Sequence, residues 1–188
     1  MLWIGALGIG LVAGFASGGR IDNLARLRFR WPWLVVAVLI VREAGLVTPL
    51  RNVDGIQYVY AAALAALVAW TVWQIPRIAG IGLVTAGSAL NLLVIAANGG
   101  RMPVAADLAG SLAQLGHIGQ YTLMSSNTQL NWLADWIALP GTIGRLLPEA
   151  YSPGDVIVAI GIGVIVALAM RSRAGSAETR ARIVSDPP

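Results

Sequence analysis

IQYVYAAALAALVAWTVWQI, residues 56–75, and IAGIGLVTAGSALNLLVIAA, residues 78–97, are separated by Pro76 and Arg77 alone. A helix of about 20 apolar residues covers the hydrocarbon core of a bilayer, so the pair reads as a hairpin of two membrane spans joined by a tight turn. Working outward, three more apolar stretches appear: Met1–Ser17, Trp31–Pro49 and Asp155–Met170. The predicted fold is all-α, a polytopic transmembrane bundle of five helices. Composition points the same way: 57% of residues are hydrophobic, 12% are charged, and the mean hydropathy is +0.72. A water-soluble domain needs more polar surface than that.

The arginines set the expected orientation. Arg20, Arg26, Arg28 and Arg30 follow the first stretch, Arg77 sits in the hairpin turn, and Arg171, Arg173, Arg180 and Arg182 follow the last stretch. The positive-inside rule assigns these connections to the cytoplasm. The other connections hold only Arg51, Arg101 and Arg145. The N-terminus is therefore expected outside and the C-terminus inside. Residues 1–171 form the expected transmembrane domain with its outer loop at 98–154, and residues 172–188 a polar cytoplasmic tail. The first stretch has no basic residue ahead of it, so it reads as a reverse anchor rather than a cleaved signal peptide.

The net charge of +4 is dispersed at the ends of apolar segments and does not suggest nucleic acid. Without cysteine, and with His117 as the single histidine, the chain suggests neither a metal site nor a cofactor. The partner implied by composition is the lipid bilayer. Gly10, Gly14 and Gly18 recur every four residues and clear one helix face for close approach, within the bundle or to a membrane-protein partner.

Several polar residues need partners. Arg42 and Glu43 lie inside the second stretch, about 100° apart around a helix, so each must look to a different neighbour. Asn91, in the fourth stretch, is expected to hydrogen-bond to an adjacent helix. Asn98-Gly99-Gly100-Arg101-Met102-Pro103 is the densest turn signal in the chain, and its backbone N–H groups and guanidinium would suit a carboxylate or lipid phosphate. Beyond it, Leu108, Leu112 and Leu115 predict one amphipathic interfacial helix, with His117 and Tyr121 four residues apart after it. Asn127, Asn131 and Asp135, opposite Leu130, Leu133 and Ile137, predict a second. Ser152-Pro153-Gly154-Asp155 has the form of a capping box opening the last helix. Asp135 and Asp155 also flank one outer loop, as a pair of carboxylates activating a water would.

The run Asn98-Gly99-Gly100-Arg101-Met102-Pro103-Val104, the segment Leu133–Gly141 and the run Tyr151–Val156 resemble a family of bacterial polytopic membrane proteins of unknown function, over most of residues 1–170. The resemblance implies the bacterial cytoplasmic membrane and a focus on the outer loop. A weaker echo is of signal peptidase II, in which Asp155 would match the second catalytic aspartate. That family's first aspartate belongs to an Asn-x-x-Asp-Arg run, whereas Asn131-Trp132-Leu133-Ala134-Asp135 is longer and lacks the arginine. The expected function is thus non-enzymatic: an accessory subunit of a membrane assembly or an amphiphile binder. Its outer site would use Asn98, Gly99, Gly100, Arg101, Asp135 and Asp155, with Arg42 and Glu43 beneath. The alternative is an intramembrane aspartyl hydrolase using Asp135 and Asp155.

Overall fold

The computed structural model describes residues 2–47, 53, 55–110, 117–139, 141 and 150–171, and at 42–47 and 117–118 the backbone alone. The protein is mostly helical. Five helices coincide with the five apolar stretches: α1 (Leu2–Ala16), α2 (Trp33–Val47), α3 (Ile56–Gln74), α4 (Ile81–Ala97) and α5 (Pro153–Arg171). Two of them, α3 and α5, each of 19 residues, are long and apolar enough to cross a membrane. At 1.5 Å per residue, the 15 residues of α1 and of α2 reach only about 22 Å, and the 17 of α4 about 25 Å. The expectation of five full-length spans is corrected to that extent. The cause is local: Gly18 (φ +77°) follows the end of α1, and Gly80 (φ +92°) starts α4 only at Ile81, so that residues 75–80 are turn rather than helix.

The central helix is α5, which packs between α1 and α4; α4 in turn meets α3, and α3 meets α2. A Cβ on Gly10 would lie 2.6 Å from Gly163 O, and one on Gly14 would strike Met170, so α1 runs parallel to α5. By the same measure Gly87 lies against Gly154 and Val158, and Gly80 against Val164, so α4 runs antiparallel. These contacts put backbones close enough for dispersion to contribute directly to the packing. Outward-facing residues stay apolar: Ile9 is 71% exposed and Val12 69%. Water would be a poor solvent for that surface.

One end of the bundle collects arginine. A 3-10 helix (Ile21–Arg26) folds onto the last turn of α5, where Arg20 N and Asn23 Nδ2 both donate to Met170 O. Further on, Arg30 O accepts from Trp70 Nε1 (2.7 Å) and Gln74 Nε2 (2.9 Å) of α3. The guanidinium groups of Arg30 and Arg77 lie over the Trp73 ring at 4.9 and 5.2 Å, and Trp31 meets the edge of the same ring.

Strands cap the opposite end, where two interfacial helices were predicted. A three-stranded sheet has the order β1 (Met102–Val104), β3 (Tyr121–Leu123), β2 (His117–Ile118), with β1 parallel and β2 antiparallel to β3. A second pair joins β4 (Ile137–Ala138) to β5 (Ala150–Tyr151). Residues 106–108 form a turn; Leu112 and Leu115 lie outside the described residues. His117 and Tyr121 belong to adjacent strands rather than to one helix face. The second expected helix is reduced to one 3-10 turn at Asn131–Leu133. Asn131 of the polar stripe bonds locally instead: Ser125 N donates to Thr128 Oγ1, Thr128 Oγ1 donates to Asn131 Oδ1, and Asn131 Nδ2 donates to Ser125 O. Such side-chain bonds offer the backbone an alternative to a helix. Met102, Leu133 and Ala134 then pack on Val94 and seal the layer to α4.

Candidate binding site at the strand-capped end

The first turn of α5 is a reciprocal capping box. Ser152 Oγ accepts from Asp155 N (2.9 Å), and Asp155 Oδ2 accepts from Ser152 N (3.1 Å), which satisfies two backbone donors that a helix start leaves open. Asn91 of α4 completes the network, donating through Nδ2 to Asp155 Oδ1 (2.9 Å) and accepting from Ser152 Oγ (2.7 Å). Ser152 is fully buried, so these bonds form out of reach of water and cannot be exchanged cheaply. Gly154 is needed here because a Cβ at that position would collide with Asn91 Oδ1. The capping box and the interhelical bond of Asn91 match expectation. The engagement of Asn91 with Asp155 itself does not follow from the sequence, since nothing there sets their register.

The glycine turn after α4 is equally specific. Gly100 N donates to Ile95 O at 2.8 Å, and both Gly99 (φ +64°) and Gly100 (φ +90°) take the left-handed conformation that closes a helix end. Asn98 Oδ1 accepts from Gln129 N (2.7 Å) while its Nδ2 donates to Gln129 O (2.9 Å), tying the turn to the strand layer. Gly100 backs onto α3, where a Cβ would lie 3.0 Å from Gln57 Cγ. Two buried polar atoms, Gln57 Oε1 on the α3 residue behind Gly100 and Arg101 Nε on the residue after it, have no hydrogen-bond partner among the described residues, and Gln57 is only 6% exposed. One is a donor and the other an acceptor. Gln57 is absent from the residues that sequence reasoning singles out, although it is the one amide in an otherwise aliphatic and aromatic run from Ile56 to Trp70.

Asp135 is buried and bridged in parallel to Val104: its N donates to Pro103 O (3.0 Å) and its O accepts from Ala105 N (2.9 Å). It therefore lies beside the strand that leaves Arg101, while Asp155 belongs to the α4–α5 junction. Both oxygens of Asp155 accept hydrogen bonds. Of the remaining expected residues, Arg42 and Glu43 lie on α2 with side chains outside the described residues. Gly10 and Gly14 are buried against α5, and Gly18, beyond the helix, has open space where a Cβ would stand. Among the described residues no group of three His, Cys, Asp or Glu could hold a metal.

These features define a mostly helical protein with two candidate membrane-spanning helices and a strand layer at one end, next to a buried polar network at the α4–α5 junction. Within that class the chain belongs to the family described as "Family of unknown function (DUF5317)", which matches residues 26–167. The match takes in the Asn98–Val104 run and the capping box but leaves α1 outside, a narrower span than residues 1–170. No curated protein and no solved structure matches the chain.

Proposed function

We propose that this is a five-span protein of the bacterial cytoplasmic membrane, N-terminus outside and C-terminus inside, that binds an anionic amphiphile at its outer, strand-capped end. The membrane reading is supported by α3 and α5, by the exposed apolar faces between the two ends, and by the gathering of arginine at the opposite end. The three shorter helices run alongside and would cross with help from flanking aromatic and arginine side chains or local thinning of the bilayer.

The observation that carries the binding reading is the corner of Arg101 and Gln57. A buried guanidinium N–H and a buried amide oxygen each lose water without gaining a partner among the described residues, and such groups are retained where something else satisfies them. An anionic headgroup that also carries a hydroxyl would accept from Arg101 and donate to Gln57. In vesicles containing photoreactive phosphatidylglycerol, the full chain should take crosslinks on the peptides bearing Gln57 and Arg101, and Arg101→Gln should remove them. Crosslinks that persist unchanged in Arg101→Gln would contradict the reading.

The two companion readings have less behind them. An Asp135–Asp155 hydrolase needs a carboxylate available to a shared water, and both oxygens of Asp155 are committed to Ser152 and Asn91. An accessory subunit meeting its partner through Gly10, Gly14 and Gly18 would use a face of which Gly10 and Gly14 already pack on α5.

A further inference from the structure

The segment after α1 doubles back to build a cleft at the arginine end. Gly18 (φ +77°) turns the chain, and Arg20 N and Asn23 Nδ2 donate to Met170 O at 2.9 and 2.8 Å. This docking leaves a cleft of ≈ 770 Å³ lined by Arg20, Asp22, Asn23, Arg26, Met170 and Arg171, among others. Three arginines line it against one aspartate. That aspartate, Asp22, pairs with Arg20 at 3.5 Å, with both side chains largely exposed. Arg26 and Arg171 make no ion pair or hydrogen bond with other described side chains. The carbonyl of Met170, which would repel an anion at the end of a helix, is already covered by its two donors.

We propose that this cleft is a phosphate-group site, and that its occupant is the headgroup of an anionic phospholipid of the cytoplasmic leaflet. Phosphate oxygens accept from guanidinium groups in paired, charge-assisted bonds, and basic clefts between helices on the cytoplasmic side suit anionic headgroups. The cleft is roomier than a phosphate alone requires, leaving space for the glycerol that links it to acyl chains. Positive charge kept inside for topology needs no convergence. Here Arg20, Arg26 and Arg171 come from two elements and are brought to one cleft by specific backbone bonds.

The proposal rests on the membrane reading but not on the Arg101 corner. The full chain in mild detergent is titrated with phosphatidylglycerol, with phosphatidylcholine and with inorganic phosphate, and bound lipid is counted by native mass spectrometry. The Arg101→Gln background is measured in parallel, so that loss of the site at the other end leaves this readout in place. Phosphatidylglycerol should be retained in preference to phosphatidylcholine. Arg26→Gln and Arg171→Gln should each weaken it about fivefold, and together about thirtyfold. Arg28→Gln, which removes the same charge from the same linker outside the cleft, should leave binding unchanged. Displacement of the lipid by inorganic phosphate would overturn the lipid assignment in favour of the free anion, and persistence would support it. Equal retention of both lipids, or equal losses for Arg26→Gln and Arg28→Gln, would overturn the site altogether. Failure of the membrane reading has a different signature, a chain that stays in solution without detergent.

Discussion

The two ends of this bundle use polar residues in opposite ways. At the arginine end the charged side chains are exposed, Arg20 and Asp22 by 78% and 75%, and stack on indole rings or face a cleft. At the strand-capped end Ser152, Gln57 and Asp135 are buried and lie within a framework that fixes their positions. The first arrangement suits an interface where water and headgroups screen charge; the second is preorganised and intolerant of change. The contrast teaches where substitutions should hurt: few at the arginine end, and many around α4, α5 and the strands.

The sharpest way to break the comparison is Gly154→Ala. Its Cβ would displace Asn91 Oδ1 and also lie 2.7 Å from Gly87 O, so α4 and α5 must part at the cap. Overpacking of this kind costs about 1–3 kcal/mol, and the upper half is expected here because the obstruction includes backbone. Thermal unfolding in detergent, followed by helical circular dichroism, measures it. Next in size is Asp155→Ala, which removes the acceptor for Ser152 N and for Asn91 Nδ2 and should cost about 2 kcal/mol. Asp155→Asn keeps one carbonyl acceptor and should cost about half as much. Under a hydrolytic mechanism these two would abolish turnover alike, so a graded stability effect sharpens the structural role. The smallest effect belongs to the other end. Trp73→Leu gives up contacts to Arg30, Arg77 and Trp31 and should cost about 1 kcal/mol or less by the same unfolding assay.

Signals confined to one helical turn are legible in the amino-acid sequence. The Ser152–Asp155 box, the glycine closure after Asn98 and the stripe of Gly10 and Gly14 each have their determinants within a few residues. The strand layer is not legible in this way. Its pairings join Met102 to Tyr121 and Ile137 to Tyr151, and only long-range contacts choose strand over helix for such short segments. The four-residue recurrence of Asn127, Asn131 and Asp135 imitates a helix face, while Ser125, Thr128 and Asn131 in fact satisfy one another's polar groups in a turn. The same holds for the candidate site: Arg101 stands out from the turn around it, but Gln57 comes to lie behind Gly100 only through the packing of α3 on α4.

The central claim is that lipid surrounds these helices, with the arginine end in the cytoplasm and the strands outside. Because the chain has no cysteine, single substitutions report sidedness without background. Ser126→Cys lies in the exposed turn after β3, and Ala25→Cys in the exposed 3-10 helix at the arginine end. With a membrane-impermeant maleimide, intact spheroplasts should label position 126 at once and position 25 only after permeabilisation. Labelling of position 25 from outside, with position 126 protected, would contradict the account.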